Sequence, residues 1–341
     1  MHPGRLRQTS SQTLANQNRN APFILGIRSI AYAIAAGNTV ILKAPEISPR
    51  CSWAISSVLN QAGLPDGVLN VISHRQQDAA ATTRILIEHP VIKKINFTGS
   101  THVGRIIGDL AGKNLKPVVL ELGGKAPAIV CHDADLSDAA RSCALGAFLN
   151  CGQICMSTEK VLIDSLIYEA FSQELKTATE GIFGRGAGFL QSRAAVEKVQ
   201  DLVDDAVKHG ATLLLGSSLI QESPSLPLMP IIISNVQPNM RIYHTESFGP
   251  VVSLIPFESE EQAVSIANDT EYGLSAAVFT RDLRRGLRIA RQIESGAVHI
   301  NGTTVHDETA LPHGGVKSSG FGRFGSSGLD EWVKTKTITY K

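Results

Sequence analysis

The stretch IKKINFTGSTHVGRIIGDLAGKNLKPVVLELGGK, residues 92–125, passes from a strand pattern (IKKINFTG) to a helical one (THVGRIIGDLAG) and back to a strand (KPVVLEL). Two strands joined by a helix read as parallel neighbours in a helix-covered sheet. The same alternation extends upstream. An apolar helix ends at Gly37, the strand NTVILK follows, and SPRCSWAISSVLNQAG gives a helix in which Ser48 can cap, Pro49 suits the first turn and Gly63 can terminate. The strand GVLNVI and helix AAATTRILIEH complete that half. Downstream come the strand PAIV, a helix over 135–149, the strand KVLI, helices at about 165–181 and 191–209, and further strands and helices to Asn301. Gly216–Pro230, rich in Ser and Pro, reads as a loop, and 314–328 (GGVKSSGFGRFGSSG) is rich in Gly and Ser.

The 341 residues suffice for two domains, and ELGG at 121–124 marks the hinge between the two α/β series. Residues 1–19 are polar and basic and predict an unstructured leader. Lys and Arg number 32 against 31 Asp and Glu, which argues against nucleic acid or an anionic membrane as partner and favours a small molecule. The apolar run from Ser29 is broken by Gly37, Asn38 and Lys43, so no spanning helix is expected. The five cysteines (Cys51, Cys131, Cys143, Cys151, Cys155) are odd in number and no apolar signal precedes them, which fits a reducing, cytoplasmic setting.

Residues 149–160, LNCGQICMSTEK, hold two of these cysteines. Zinc would require a second pair of ligands, for which Cys151 and Cys155 have no evident counterpart, so no metal is expected. Both could be small buried hydrophobes. Cys155, however, lies on a connection between a helix end and a strand, where backbone N–H groups are available to a nucleophile's oxyanion. A thiol-protease reading of Cys155 with a histidine has no local signature.

GQIC at 152–155, with ELGGK at 121–125 and ESFGPVV at 246–252, resembles the aldehyde dehydrogenase superfamily. AAGNTVILKAPEISP, INFTGSTHVG, YGLSAAVF and PHGGVKSSGFGR extend the likeness from about Asn20 to Lys341, and INGTTVHDE and GFGRFG look most like the branch acting on salicylaldehyde, vanillin and benzaldehyde. The resemblance implies two doubly wound α/β domains: a Rossmann-like cofactor domain over 20–122, incomplete at its N-terminus, and a thiol domain over 123–316. It also implies a return segment with an oligomerisation strand over 317–341.

Carried over residue by residue, Cys155 is the nucleophile, forming a thiohemiacetal and then a thioester, and Glu121 is the general base that releases the acid. Asn20 is the oxyanion donor, although Asn18 and Arg19 stand where the family has Pro-Trp and no apolar strand is evident upstream. Lys43 and Glu46 match the adenosine-ribose contacts. A carboxylate there suits two ribose hydroxyls and repels a 2′-phosphate, which favours NAD while leaving NADP possible. Gly99, Ser100 and Gly104 match the pyrophosphate approach, Leu122 and Gly123 the nicotinamide surroundings, Glu246 its ribose and Phe248 its ring. His299, His306 and His313 flank the expected substrate tunnel and read as structural in preference to proton carriers. Family members carry a further N-terminal portion and a longer passage near residues 180–199. The alternative to an enzyme, homo-oligomeric if complete, is therefore an inactive truncated fragment that partners complete subunits.

Overall fold

The computed structural model describes residues 4–9, 12–16, 20–217 and 227–340. The chain forms two compact units: Met1–Leu122, Asp307–Gly314 and Gly320–Lys341 make the first, Gly123–His306 and Gly315–Ser319 the second. The crossing at Leu122/Gly123 coincides with ELGG. The segment 307–314, expected with the thiol domain, instead packs in the first unit.

The first unit begins with strands β1 (Gly4–Thr9) and β2 (Gln12–Asn16). This corrects the unstructured leader predicted from composition, and with it the missing upstream strand; the other leader residues lie outside those described. The physical reason is local. Thr13, Leu14 and Ala15 are fully buried, and β2 lies between two parallel partners that take up its backbone hydrogen bonds on both sides. Averaging polarity over nineteen residues hides three that are buried.

There follow α1 (Pro22–Ala35), β3 (Thr39–Lys43), α2 (Pro49–Gln61), β4 (Leu69–Ile72), α3 (Ala79–Glu88), β5 (Lys94–Thr98), α4 (Thr101–Lys113) and β6 (Val118–Glu121). Pro49 opens α2 as expected, but Ser48 makes no side-chain cap hydrogen bond. The parallel order β6-β5-β2-β3-β4 reverses direction between β2 and β5, the switch point at which open α/β sheets leave a crevice at their carboxyl ends. Strand residues alternate between faces. Ala15, Val40, Leu42 and Val119 pack with Ile30 of α1 and Ile55 of α2, whereas Leu14, Ile95 and Leu120 pack with Ile87 of α3 and Ile107 of α4. Truncating one such buried leucine to alanine costs about 2–5 kcal/mol.

The second unit holds β7 (Ala126–Val130), α5 (Leu136–Phe148), β8 (Thr158–Asp164), α6 (Tyr168–Phe183), α7 (Arg193–Lys208), β9 (Thr212–Leu215), β10 (Ile231–Ser234), α8 (Arg241–His244), β11 (Val251–Phe257), α9 (Glu260–Asn268), β12 (Ser275–Phe279), α10 (Leu283–Ala290) and β13 (Ala297–Ile300). Its sheet runs β13-β12-β7-β8-β11-β10-β9, parallel except for β9. In β8, Leu162 faces the α7 and α9 side, while Val161 and Ile163 face α5 and α6. Both faces are covered, which is why these strands read as unbroken apolar runs.

The chain then returns to the first unit. Strand β14 (Gly320–Phe321) adds antiparallel to β6, and β15 (Val333–Ile338) pairs antiparallel with β1, Gly4 opposite Ile338. Phe324 and Trp332 complete the core on the α1 side and are 2% and 0% exposed. The Trp332 carbonyl accepts from Asn38 Nδ2 at 3.0 Å. Among the described residues, no helix is long and apolar enough to cross a membrane.

Candidate functional site

In the second unit, three connections meet at the amino edge of the adjacent strands β7, β8 and β11: Gly123–Lys125, Asn150–Ser157 and Glu246–Gly249. The middle one carries Cys155, which is half-buried. Helix α5 stops at Phe148, and the chain then turns through three successive left-handed residues, Asn150 (φ 52), Cys151 (φ 60) and Gly152 (φ 69). Gln153 pins the turn. Its Nε2 donates to the carbonyls of Asn150 (3.1 Å) and Phe189 (2.9 Å), and its Oε1 accepts from the Gln191 N–H (3.0 Å). A Cβ on Gly124 would lie 2.2 Å from the Cys155 carbonyl oxygen, so only glycine permits that approach. Cys151 is 1% exposed, and burial pushes its thiol up to about 12, which leaves it protonated and inert. Thr304 steadies the far side, its Oγ1 donating to the Met156 carbonyl at 2.7 Å.

The third connection hangs on a buried ion pair. Lys125 Nζ and Glu159 Oε2 are 2.5 Å apart, and Glu159 also accepts from Ser247 N (2.9 Å), Ser247 Oγ (2.9 Å) and Phe248 N (3.1 Å). Phe248 is thereby held at φ 51. Glu246 Oε1 accepts from the Gly124 N–H at 3.0 Å, and a Cβ on Gly123 would lie 2.7 Å from Glu246 Oε2. Burial, and after it the Glu159 charge, pushes the Glu246 carboxyl up to about 7. Gly123, Cys155, Glu246 and Phe248, all singled out from the sequence, therefore sit on neighbouring connections. A cleft of about 450 Å³ lined by His132, Asp164 and Arg285 opens at the opposite, carboxyl edge of this sheet and does not include Cys155.

In the first unit, Glu121 ends β6 and its side chain is 0% exposed. Arg28 of α1 donates from Nη2 to Glu121 Oε2 at 2.6 Å and from Nη1 to Asp307 Oδ2 at 3.0 Å, with its guanidinium 4.8 Å above the Phe324 ring. His313 Nε2 lies 3.5 Å from Glu121 Oε1. Asn20 is half-buried two residues before α1. Lys43 ends β3, with its Nζ 3.5 Å from Glu46 Oε1, and His74 Nε2 approaches the same oxygen at 3.4 Å. Burial lowers the Lys43 amine, against the opposing pull of Glu46. Gly99 and Ser100 follow β5 at the switch point. Ser100 Oγ caps α4, accepting from Val103 N at 3.4 Å, and a Cβ on Gly104 would lie 2.4 Å from Leu122 Cδ2. A strand end, a glycine turn and a helix N-terminus are the kinds of feature with which open α/β sheets can hold a dinucleotide.

Arg28, His74, Asp307, Glu159 and Thr304 escaped the sequence reading as site residues. Each is placed by a partner tens or hundreds of residues away, such as Arg28 by Glu121, and spacing along the chain carries no trace of such pairs. His299 and His306 stack edge to face at 5.0 Å, a packing arrangement.

The aldehyde dehydrogenase family profile matches residues 19–338. Vanillin dehydrogenase of Pseudomonas fluorescens is 46% identical over 342 residues, which span 98% of this chain and 70% of the relative. Salicylaldehyde dehydrogenase of Pseudomonas putida is 40% identical over 344 residues, with the same 98% and 70% coverage. The crystal structure of a salicylaldehyde dehydrogenase from Pseudomonas putida G7 complexed with salicylaldehyde superposes with a TM-score of 0.95 at 39% identity, covering 98% of this chain and 70% of that one.

Proposed function

The chain belongs to the aldehyde dehydrogenase family and is an oxidoreductase acting on aldehydes, and from that membership we propose that it oxidises an aromatic aldehyde to its carboxylic acid with NAD. The observation that carries this reading is the Cys155 connection: a half-buried thiol on a pinned left-handed turn, its backbone against Gly124, beside a connection on which Glu246 accepts from the Gly124 N–H and Phe248 is held by Glu159. The aromatic preference rests on the vanillin and salicylaldehyde relatives.

In this reading the Cys155 thiolate adds to the aldehyde carbon, and Asn20 together with backbone N–H groups of the turn holds the resulting oxyanion. The chemistry NAD supplies when bound is acceptance of a hydride from that carbon. The acyl group then rests on Cys155 as a thioester. Glu121 takes a proton from water, the water oxygen attacks the thioester carbon, and the sulfur leaves as thiolate. Lys43 and Glu46 would hold the adenosine ribose, Gly99, Ser100 and Gly104 the pyrophosphate, and Leu122, Gly123, Glu246 and Phe248 the nicotinamide end. Glu46, three residues beyond the end of β3, favours ribose hydroxyls over a 2′-phosphate, so NAD should outperform NADP.

The test is NADH formation at 340 nm with benzaldehyde, salicylaldehyde or vanillin. Wild type should turn over, Cys155→Ala should not, and Glu121→Gln should release a single equivalent of NADH and then slow by about 10²–10⁴-fold. Folded wild type inactive with all three aldehydes, or an active Cys155→Ala, would overturn the reading.

A further inference from the structure

Resting on the assignment of Glu121 as base, we propose that His313 carries the proton away from Glu121 after each hydrolysis and delivers it at Asp307, on the surface of the first unit.

A carboxylate that strips a proton from water must lose it before it can act again, and the Glu121 side chain is 0% exposed. Four side chains meet here from separate segments: Glu121 from β6, Arg28 from α1, and Asp307 and His313 from 307–314, with the Phe324 ring beneath Arg28. Arg28 binds both carboxylates, at 2.6 Å to Glu121 and 3.0 Å to Asp307, but a guanidinium stays protonated and cannot accept. His313 spans the same two groups with its two ring nitrogens, Nε2 at 3.5 Å from Glu121 Oε1 and Nδ1 at 3.7 Å from Asp307 Oδ1. Its Nε2 is buried and, among the described residues, has no hydrogen-bond partner, so in the Nδ1–H tautomer a lone pair faces the carboxyl that must be emptied. The Asp307 side chain is 28% exposed, which makes it the outlet.

The proton moves in two steps. Protonated Glu121 gives its Oε1 proton to His313 Nε2, restoring the carboxylate and forming an imidazolium between Glu121 and Asp307. The Nδ1 proton then passes to Asp307 or to water beside it, and rotation of the ring restores the starting tautomer. One proton leaves per acid formed. Arg28 fixes the spacing of the two carboxylates, and contacts of this length commonly tighten to hydrogen bonds in a reacting complex. The backbone of His313 is held independently of its ring, through hydrogen bonds with Phe324 of 3.1 and 2.7 Å, so replacing the side chain spares that bridge.

The experiment follows decay of the benzoyl-enzyme by intact-protein mass after mixing enzyme, NAD and one equivalent of benzaldehyde. His313→Gln should form the acyl-enzyme at the wild-type rate and lose it about 10- to 100-fold more slowly. His313→Ala should recover with added imidazole, a response that a packing role would not give. Asp307→Asn, at an exposed position, should slow decay less and keep the fold. Wild-type decay in His313→Gln, or no effect of imidazole on folded His313→Ala, overturns the relay. If Glu121→Gln also decays at the wild-type rate, the base assignment itself falls; if Glu121→Gln stalls and His313→Gln does not, only the relay does.

Discussion

Lys125 and Glu159 give the sharpest test of what holds the nucleophile's surroundings in place. Their side chains are 0% and 4% exposed and 2.5 Å apart, so Lys125→Met leaves a buried carboxylate without its counter-ion. Such one-sided loss costs about 3–5 kcal/mol. The lower end applies here, because three donors from Ser247 and Phe248 still face Glu159. Adding Glu159→Gln removes the charge while keeping an acceptor for those donors, and should return about 1–2 kcal/mol. The double variant is thus expected to be more stable than Lys125→Met alone. The two tryptophans, Trp53 and Trp332, both lie in the first unit, so their fluorescence does not report this site. Hydrogen exchange of β8 and β11 amides reads the local stability without assuming that both units unfold together. A Lys125→Met cost below about 1 kcal/mol, or a double variant weaker than the single, would refute the reasoning.

Two further outcomes follow from individual contacts. Gly124→Ala places a Cβ 2.2 Å from the Cys155 carbonyl oxygen, a backbone atom that can yield only by moving the thiol. Turnover should drop on the order of 10²-fold, and unchanged turnover would show that the loop tolerates the shift. Lys160 is fully buried, its amine 4.0 Å above the Tyr243 ring, and burial with the nearby Lys125 charge brings it down to about 7. A depressed folded value leaves stability highest above the ordinary lysine range and takes it away progressively as pH falls from there to about 7. Wild type should therefore gain about 2 kcal/mol over Lys160→Met between pH 7 and 9 in urea unfolding followed by far-UV circular dichroism, and parallel curves would contradict it.

The alternation of strand and helix was legible because each βα unit of this fold is local, as in residues 92–125. Cys155, Glu121 and Glu246 stand out in the sequence as members of short strings, and the roles proposed for them come from resemblance rather than from spacing. Strand β2 was not legible: a five-residue strand hydrogen-bonded on both sides needs little hydrophobicity of its own, and only Leu14 and Ala15 mark it. The Arg28, His313 and Asp307 cluster around Glu121 was invisible for another reason, since its members come from three parts of the chain that tertiary packing alone brings together. His313 shows the limit most clearly. Its sequence neighbourhood suggested packing, whereas its ring nitrogens point at two carboxylates.

The return of the chain to its first unit has a consequence for biosynthesis. Residues 123–306 supply nearly all of the second unit without interruption, so a nascent polypeptide can close that body as soon as it clears the ribosome. The first unit, whose strands β2 to β6 come earlier in the chain, lacks the edge strand β14 and the plugs Phe324 and Trp332 until residues 320–332 have been made. Until then Ile30, Val40 and Val119 lack the contacts that Phe324 and Trp332 give them. A lesion at Phe324 or Trp332 would accordingly be felt in a core built from residues some two hundred or more positions earlier in the chain, Ala15, Ile30, Val40 and Val119 among them.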